Sequence, residues 1–141
     1  MKKTLLAGML AIFTASTALS QNTEEKAVKL AISNFAKAAD NSDASAIAEL
    51  LDENFRIVMN QLFGSKEVSI MPKAVYVEKI KTKEFGGEPR KVTVENVMVN
   101  GNTASARVTY AGAKMTFVSL TTLVKNADGQ WKLVSEMPVI K

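Results

Sequence analysis

Apolar positions recur at spacings of three and four early in the chain. Val28, Ala31, Ile32, Phe35 and Ala39 form one stripe, while Lys29, Asn34 and Lys37 fall elsewhere. That period predicts an amphipathic helix over 23–39. Asp40-Asn41-Ser42-Asp43 interrupts it, and Ser42 or Asp43 can cap a short second helix over 44–51 that buries Ile47, Leu50 and Leu51. Phe55-Arg56-Ile57-Val58-Met59 reads as a strand, rich in branched and large side chains, and 61–69 as a loop around Gly64. A third helix is predicted from Pro72, which suits a first helical position, to about Lys83. It would bury Val75, one or both of Tyr76 and Val77, and Ile80, and Gly86-Gly87-Glu88-Pro89 ends it.

From Arg90 the period changes to two. Val92 and Val94 alternate with polar neighbours, as do Ala104, Ala106, Val108 and Tyr110. Asn100-Gly101 between two such runs is a hairpin signal. A long strand over 114–125, a turn at Asn126-Ala127-Asp128-Gly129 and a last strand over 131–137 complete the pattern. Helices followed by an antiparallel meander predict an α+β fold in which helices cover one face of a curved sheet. In the long strand, Met115, Phe117 and Leu123 lie on one face, and Val118, Leu120 and Val124 on the other. A strand apolar on both sides needs cover on both. A second copy of the chain is the economical cover for the outer face, so a homodimer is expected.

The N-terminus has a different pattern. Lys2 and Lys3 precede a mostly apolar run from Thr4 to Ala15, and Ala18-Leu19-Ser20 places small residues where a signal peptidase reads them. Residues 1–20 are therefore read as a secretory signal and 21–141 as a single domain. The apolar run, about a dozen residues, is short of the roughly 20 a spanning helix needs. The expectation is an exported protein, periplasmic or extracellular, with no membrane span after cleavage.

Without the first 20 residues the chain keeps 16 basic and 14 acidic side chains, so its whole-length net charge of +4 overstates how basic it is. Nucleic acid is not expected as a partner at that balance. The chain contains neither Cys nor His. That excludes disulfides, thiol nucleophiles, Ser-His-Asp hydrolysis and the usual zinc or copper sites, so no metal and no cofactor is expected. Residues 24–54 carry seven acids against three lysines, and 66–91 seven bases against four acids; both read as solvated helix faces.

With that layout, the chain resembles the nuclear transport factor 2-like superfamily, in particular its SnoaL-like and lumazine-binding-type proteins. The likeness rests on the helix Ala27–Ala39 with its Asp40 break, on Asp52-Glu53-Asn54-Phe55-Arg56 leading into the first strand, on Met71–Ile80, and on Asp128-Gly129-Gln130-Trp131-Lys132-Leu133. It covers residues 23–137. The resemblance implies a cone-shaped roll whose sheet wraps a cavity beneath the helices and dimerises through its outer face. It implies no particular ligand, because this scaffold serves enzymes, binders and dimerisation modules. Relatives often carry a His after the Asp52-Glu53 segment or near the end of the last strand. Here those stretches read Val58-Met59-Asn60-Gln61 and Val134-Ser135-Glu136-Met137, which speaks against histidine-based dehydratase or cyclase chemistry.

The reading adopted is a non-catalytic binder of a small, partly apolar molecule. Met59, Met98, Met115 and Phe117 would line the pocket, with Asn60, Tyr76, Tyr110 and Ser119 as polar contacts. No residue is assigned a catalytic role. Glu95 shares its face with Thr93, Val97 and Val99, so an inward position is open to it; Glu136 shares its face with Val134 and Lys132, which argues for solvent. Two alternatives stand beside the binder. One is an enzyme like the ketosteroid isomerases, using a carboxylate and a tyrosine inside an apolar cavity. The other is a module for dimerisation or protein interaction. Cavity content separates them: an ionisable pair favours catalysis, uncharged polar groups favour binding, and a filled cone favours interaction.

Overall fold

The computed structural model describes residues 5–141, with side chains from residue 18 onward. Its elements are α1 (Leu5–Asp40), α2 (Ala44–Leu50), β1 (Leu51–Asn60), a 3-10 turn (Leu62–Gly64), β2 (Val68–Pro72), α3 (Lys73–Lys81), β3 (Lys91–Asn100), β4 (Thr103–Ala111), β5 (Thr116–Lys125) and β6 (Trp131–Ile140). The strands form one sheet in the order β2-β1-β6-β5-β4-β3. The β1–β6 pair is parallel and the other pairs are antiparallel. This is the expected α+β roll.

The predicted stripe of α1 is its buried face. Val28, Ala31, Ile32, Phe35 and Ala39 all pack inward, against β3 and β6. Asp43 caps α2, its carboxylate accepting the Ala46 N–H at 3.0 Å. Beneath the helices aromatic rings form a cluster. Tyr76 of α3 lies 6.0 Å from Phe35, 5.7 Å from Phe55 and 6.2 Å from Phe85, measured between ring centroids. Val75, expected inside, is exposed, and Tyr76 and Ile80 are the buried residues of α3.

The chain after α3 is stitched back onto the end of α1. The Gly87 N–H donates to the Ala39 carbonyl at 3.0 Å. Gly86 has φ +77°, and a Cβ there would stand 2.2 Å from that same carbonyl oxygen, so both the backbone and the space require glycine. This contact delivers Arg90 to Asp40.

Several boundaries differ from expectation. The helical backbone of α1 begins at Leu5 rather than near residue 23; Lys2, Lys3 and Thr4 of the expected signal lie outside the described residues. The expected loop over 61–69 ends two residues early in β2, an edge strand whose Val68 and Ile70 are exposed, so its alternation carried no burial signal. Pro72 is the cap of α3 rather than its first residue. In the β3–β4 hairpin Asn100 still pairs with Thr103, leaving Gly101 and Asn102 as the turn. Among the described residues no helix is long and apolar enough to cross a membrane.

Two one-residue bulges decide which side chains face inward. On β6, Ser135 pairs with Thr122 but Leu133 pairs with Leu123, so Val134 is the extra residue. On β3 the register slips between Glu95 and Met98, where Asn96 takes φ 52°. An added residue reverses the side-chain alternation beyond it.

Candidate functional site

The β6 bulge turns Glu136 to the inside. Counting back by twos from Lys132 puts Glu136 in water; the extra residue puts it on the face of Trp131 and Leu133, directly across from Thr121 of β5. Glu136 is 7% exposed. Its Oε1 accepts two hydrogen bonds, from the Tyr110 hydroxyl at 2.7 Å and from the Thr121 hydroxyl at 3.1 Å. No described residue hydrogen-bonds Oε2. Burial pushes the carboxyl above its ordinary range, while Tyr110, Thr121 and the charge of Arg90 pull the other way. Tyr110, 2% exposed, is itself held protonated far above the ordinary phenol range by burial first and by Glu136 second.

Tyr76 closes the group from the helix side. Burial, and after it the Glu136 charge, raises its phenol as well. Arg90 flanks the site. Its guanidinium carbon sits 4.9 Å from the Tyr110 ring centroid, and its Nε donates to Asp40 at 2.6 Å. The Arg90 backbone N–H reaches the other Asp40 oxygen at 3.1 Å, and Nη2 reaches the Ala36 carbonyl at 3.3 Å. The arrangement therefore joins one carboxyl with one free oxygen, two phenols and a cation locked by its own carboxylate. A carboxyl of this kind can donate a proton when neutral and take one when ionised.

The expectation that Glu136 faces solvent is corrected: it lies inside. The other carboxylates stay outside. Glu95 falls on the outer face before the β3 bulge and pairs there with Arg107 at 2.7 Å. Glu53 is exposed and pairs with Lys73 at 2.6 Å. Among the described residues no three acidic side chains gather as a cation site. Surface depressions lie on α1 near Gln21 and on α3 near Val75, and neither reaches Glu136.

The family described as "Putative lumazine-binding" matches residues 23–137. The chain belongs to this family. No curated protein matches the sequence at a significant level. The roll is shared with solved structures of low identity. One is an NTF2-like protein of unknown function from Shewanella baltica, with 18% identity, TM-score 0.72, and coverage of 84% of this chain and 94% of that one. Another, from Silicibacter pomeroyi, is also NTF2-like and of unknown function, with 16% identity, TM-score 0.74, and coverage of 86% and 98%. A ketosteroid isomerase-like protein from Erwinia carotovora atroseptica has 15% identity, TM-score 0.65, and coverage of 84% and 97%.

Within this family member the predicted site residues separate into two groups. Tyr76, Tyr110, Phe117 and Ser119 lie on the inner side with Glu136, and Met59 is half-buried there, two residues beyond Ile57, the partner of Glu136 on β1. The other three stand elsewhere. Met98 follows the β3 bulge onto the outer face and is 65% exposed. Met115 sits in the turn before β5, its carbonyl accepting the Gly112 N–H. Asn60 is exposed opposite Val68. Thr121, Arg90 and Asp40 escaped sequence reasoning. A Thr in a strand and an ion pair fifty residues apart give no local signal.

Proposed function

We propose that the chain binds a small, partly apolar, oxygen-bearing molecule against Glu136 and exchanges a proton with it. The observation that carries this reading is the buried Glu136–Tyr110 pair, with Glu136 Oε2 left without a protein partner. The ligand would enter past Met59 and Phe117, which are half-buried, and Ile140, which is exposed. Methionine yields there without strain, since its side chain repacks readily. Ionised Glu136 takes a proton from the ligand onto Oε2 and returns it to another atom of the same molecule, while Tyr110 and Thr121 hold Oε1. A carboxyl raised above its ordinary range suits both halves of that exchange. The family description, with its reference to binding a small heterocycle, supports the binding half of the reading.

Two further parts of the reading rest on other features. Export follows from the N-terminal pattern of 1–20, with Gln21 as the first mature residue. Pairing of two copies is supported by apolar side chains on the outer sheet face: Leu120 is 60% exposed beside Met137 at 46% and Val139 at 52%.

The test is native mass spectrometry of the protein purified from its own host, followed by transfer of the complex into D2O. Wild type should carry a small molecule and bring deuterium into it; the E136Q variant should bring in none. A co-purifying molecule that exchanges equally in both would leave binding and remove proton transfer.

A further inference from the structure

We infer that Ser119 is the second polar anchor of the Glu136 site, so the ligand carries two hydrogen-bonding atoms on one uncharged ring. This rests on the site reading above and specifies what that site accepts. Ser119 is 1% exposed, and among the described residues its Oγ is a buried side-chain oxygen with no hydrogen-bond partner. Its inner-face neighbours Tyr110 and Thr121 are engaged, both donating to Glu136. A buried hydroxyl without a partner opposes folding, so a position where it persists asks for a partner from outside the chain.

The register puts that hydroxyl where a ligand of the carboxyl would meet it. Ser119 lies two residues from Thr121 on the same face of β5, opposite Val108 and Pro138. It is thus diagonal to Tyr110 on one neighbouring strand and to Glu136 on the other, and diagonal pairs lie within reach of a single small molecule. Phe117 follows on the same face. A molecule advancing past Phe117 would pass Ser119 before reaching Glu136.

The charges around the site restrict the ligand further. Arg90 is already neutralised by Asp40 at 2.6 Å, so it has no unpaired charge to offer an anion. A cation would meet the guanidinium close by and a carboxyl whose burial opposes ionisation. An uncharged ring with one polar atom for Glu136 and another for Ser119 matches the two unpartnered oxygens, Oε2 and Oγ.

Resorcinol and phenol are suitable probes, because one ring carries two hydroxyls and the other one. Their affinities are read by ligand-observed NMR on wild type, S119A, S119T and E136Q. Wild type should prefer resorcinol by about fivefold, the weight of one net hydrogen bond. S119A should abolish that preference, S119T should retain it, and E136Q should weaken both probes. S119A should also melt higher in the absence of a probe, by about 3 °C, because it removes an unpaired buried hydroxyl. A preference that survives in S119A, or a lower melting point, overturns the role of Ser119 alone. Equal binding of both probes by wild type and E136Q, or none by wild type, overturns the site reading together with it.

Discussion

Ionising a carboxyl inside a protein forfeits its hydration, and Glu136 keeps only two neutral hydroxyl donors in exchange. The folded chain therefore holds this proton to higher pH than the unfolded chain does. The stability linked to Glu136 is complete below the ordinary carboxyl value of 4.5 and is lost as pH rises from there through the raised folded value. E136Q removes the titration. Its urea midpoint should match wild type near pH 4 and exceed it increasingly towards pH 8; a constant difference across that range would contradict the buried carboxyl. Tyr110 tests the same group from the other side. Its hydrogen bond favours the ionised form, so Y110F should raise the Glu136 titration midpoint further, measured from the side-chain carboxyl 13C shift.

At the scale of the element, the bulge at Val134 adds one residue between Leu133 and Glu136, which share the inner face. Without Val134, Ser135 follows Leu133 on the outer face and Glu136 keeps its inward place, so the deletion should preserve the pH-dependent urea midpoint that E136Q loses; a midpoint that no longer responds to pH would contradict this register. V134A keeps the extra residue and should stay within about 1 kcal/mol of wild type. A second element-level tie holds α1 to the far end of β6. Glu24 accepts the Trp131 indole N–H at 2.9 Å and the Lys125 ammonium at 2.6 Å, which lowers its carboxyl below the ordinary value. At the fourth residue after the expected cleavage point, the helix is thereby already fastened to the sheet.

For the whole molecule, the two sheet faces divide the work. The inner face is covered by α1 and α3 and holds the polar group; the outer face presents Leu120, Met137 and Val139 to solvent in a single copy. An exposed apolar patch of this kind marks an interaction surface. Sedimentation velocity should find two copies of the mature chain together, and L120K should shift it to one without lowering its melting temperature by more than a few degrees. A wild-type protein that sediments as a single copy at all concentrations would remove the pairing.

Local pattern was enough for the helices, the meander, the α+β class and the family resemblance, because each rests on spacings of two to four residues that burial enforces on nearby side chains. Tyr76, Tyr110, Phe117 and Ser119 were legible for the same reason, as inward positions of regular elements. The face of Glu136 was not, nor the outward turn of Glu95 and Met98, because a bulge is defined by the strand paired beside it rather than by its own sequence. The meeting of Arg90 with Asp40, and of Glu136 with Thr121 and Tyr110, likewise belongs to the tertiary structure alone: only folding brings residues 15 to 50 positions apart within hydrogen-bond distance.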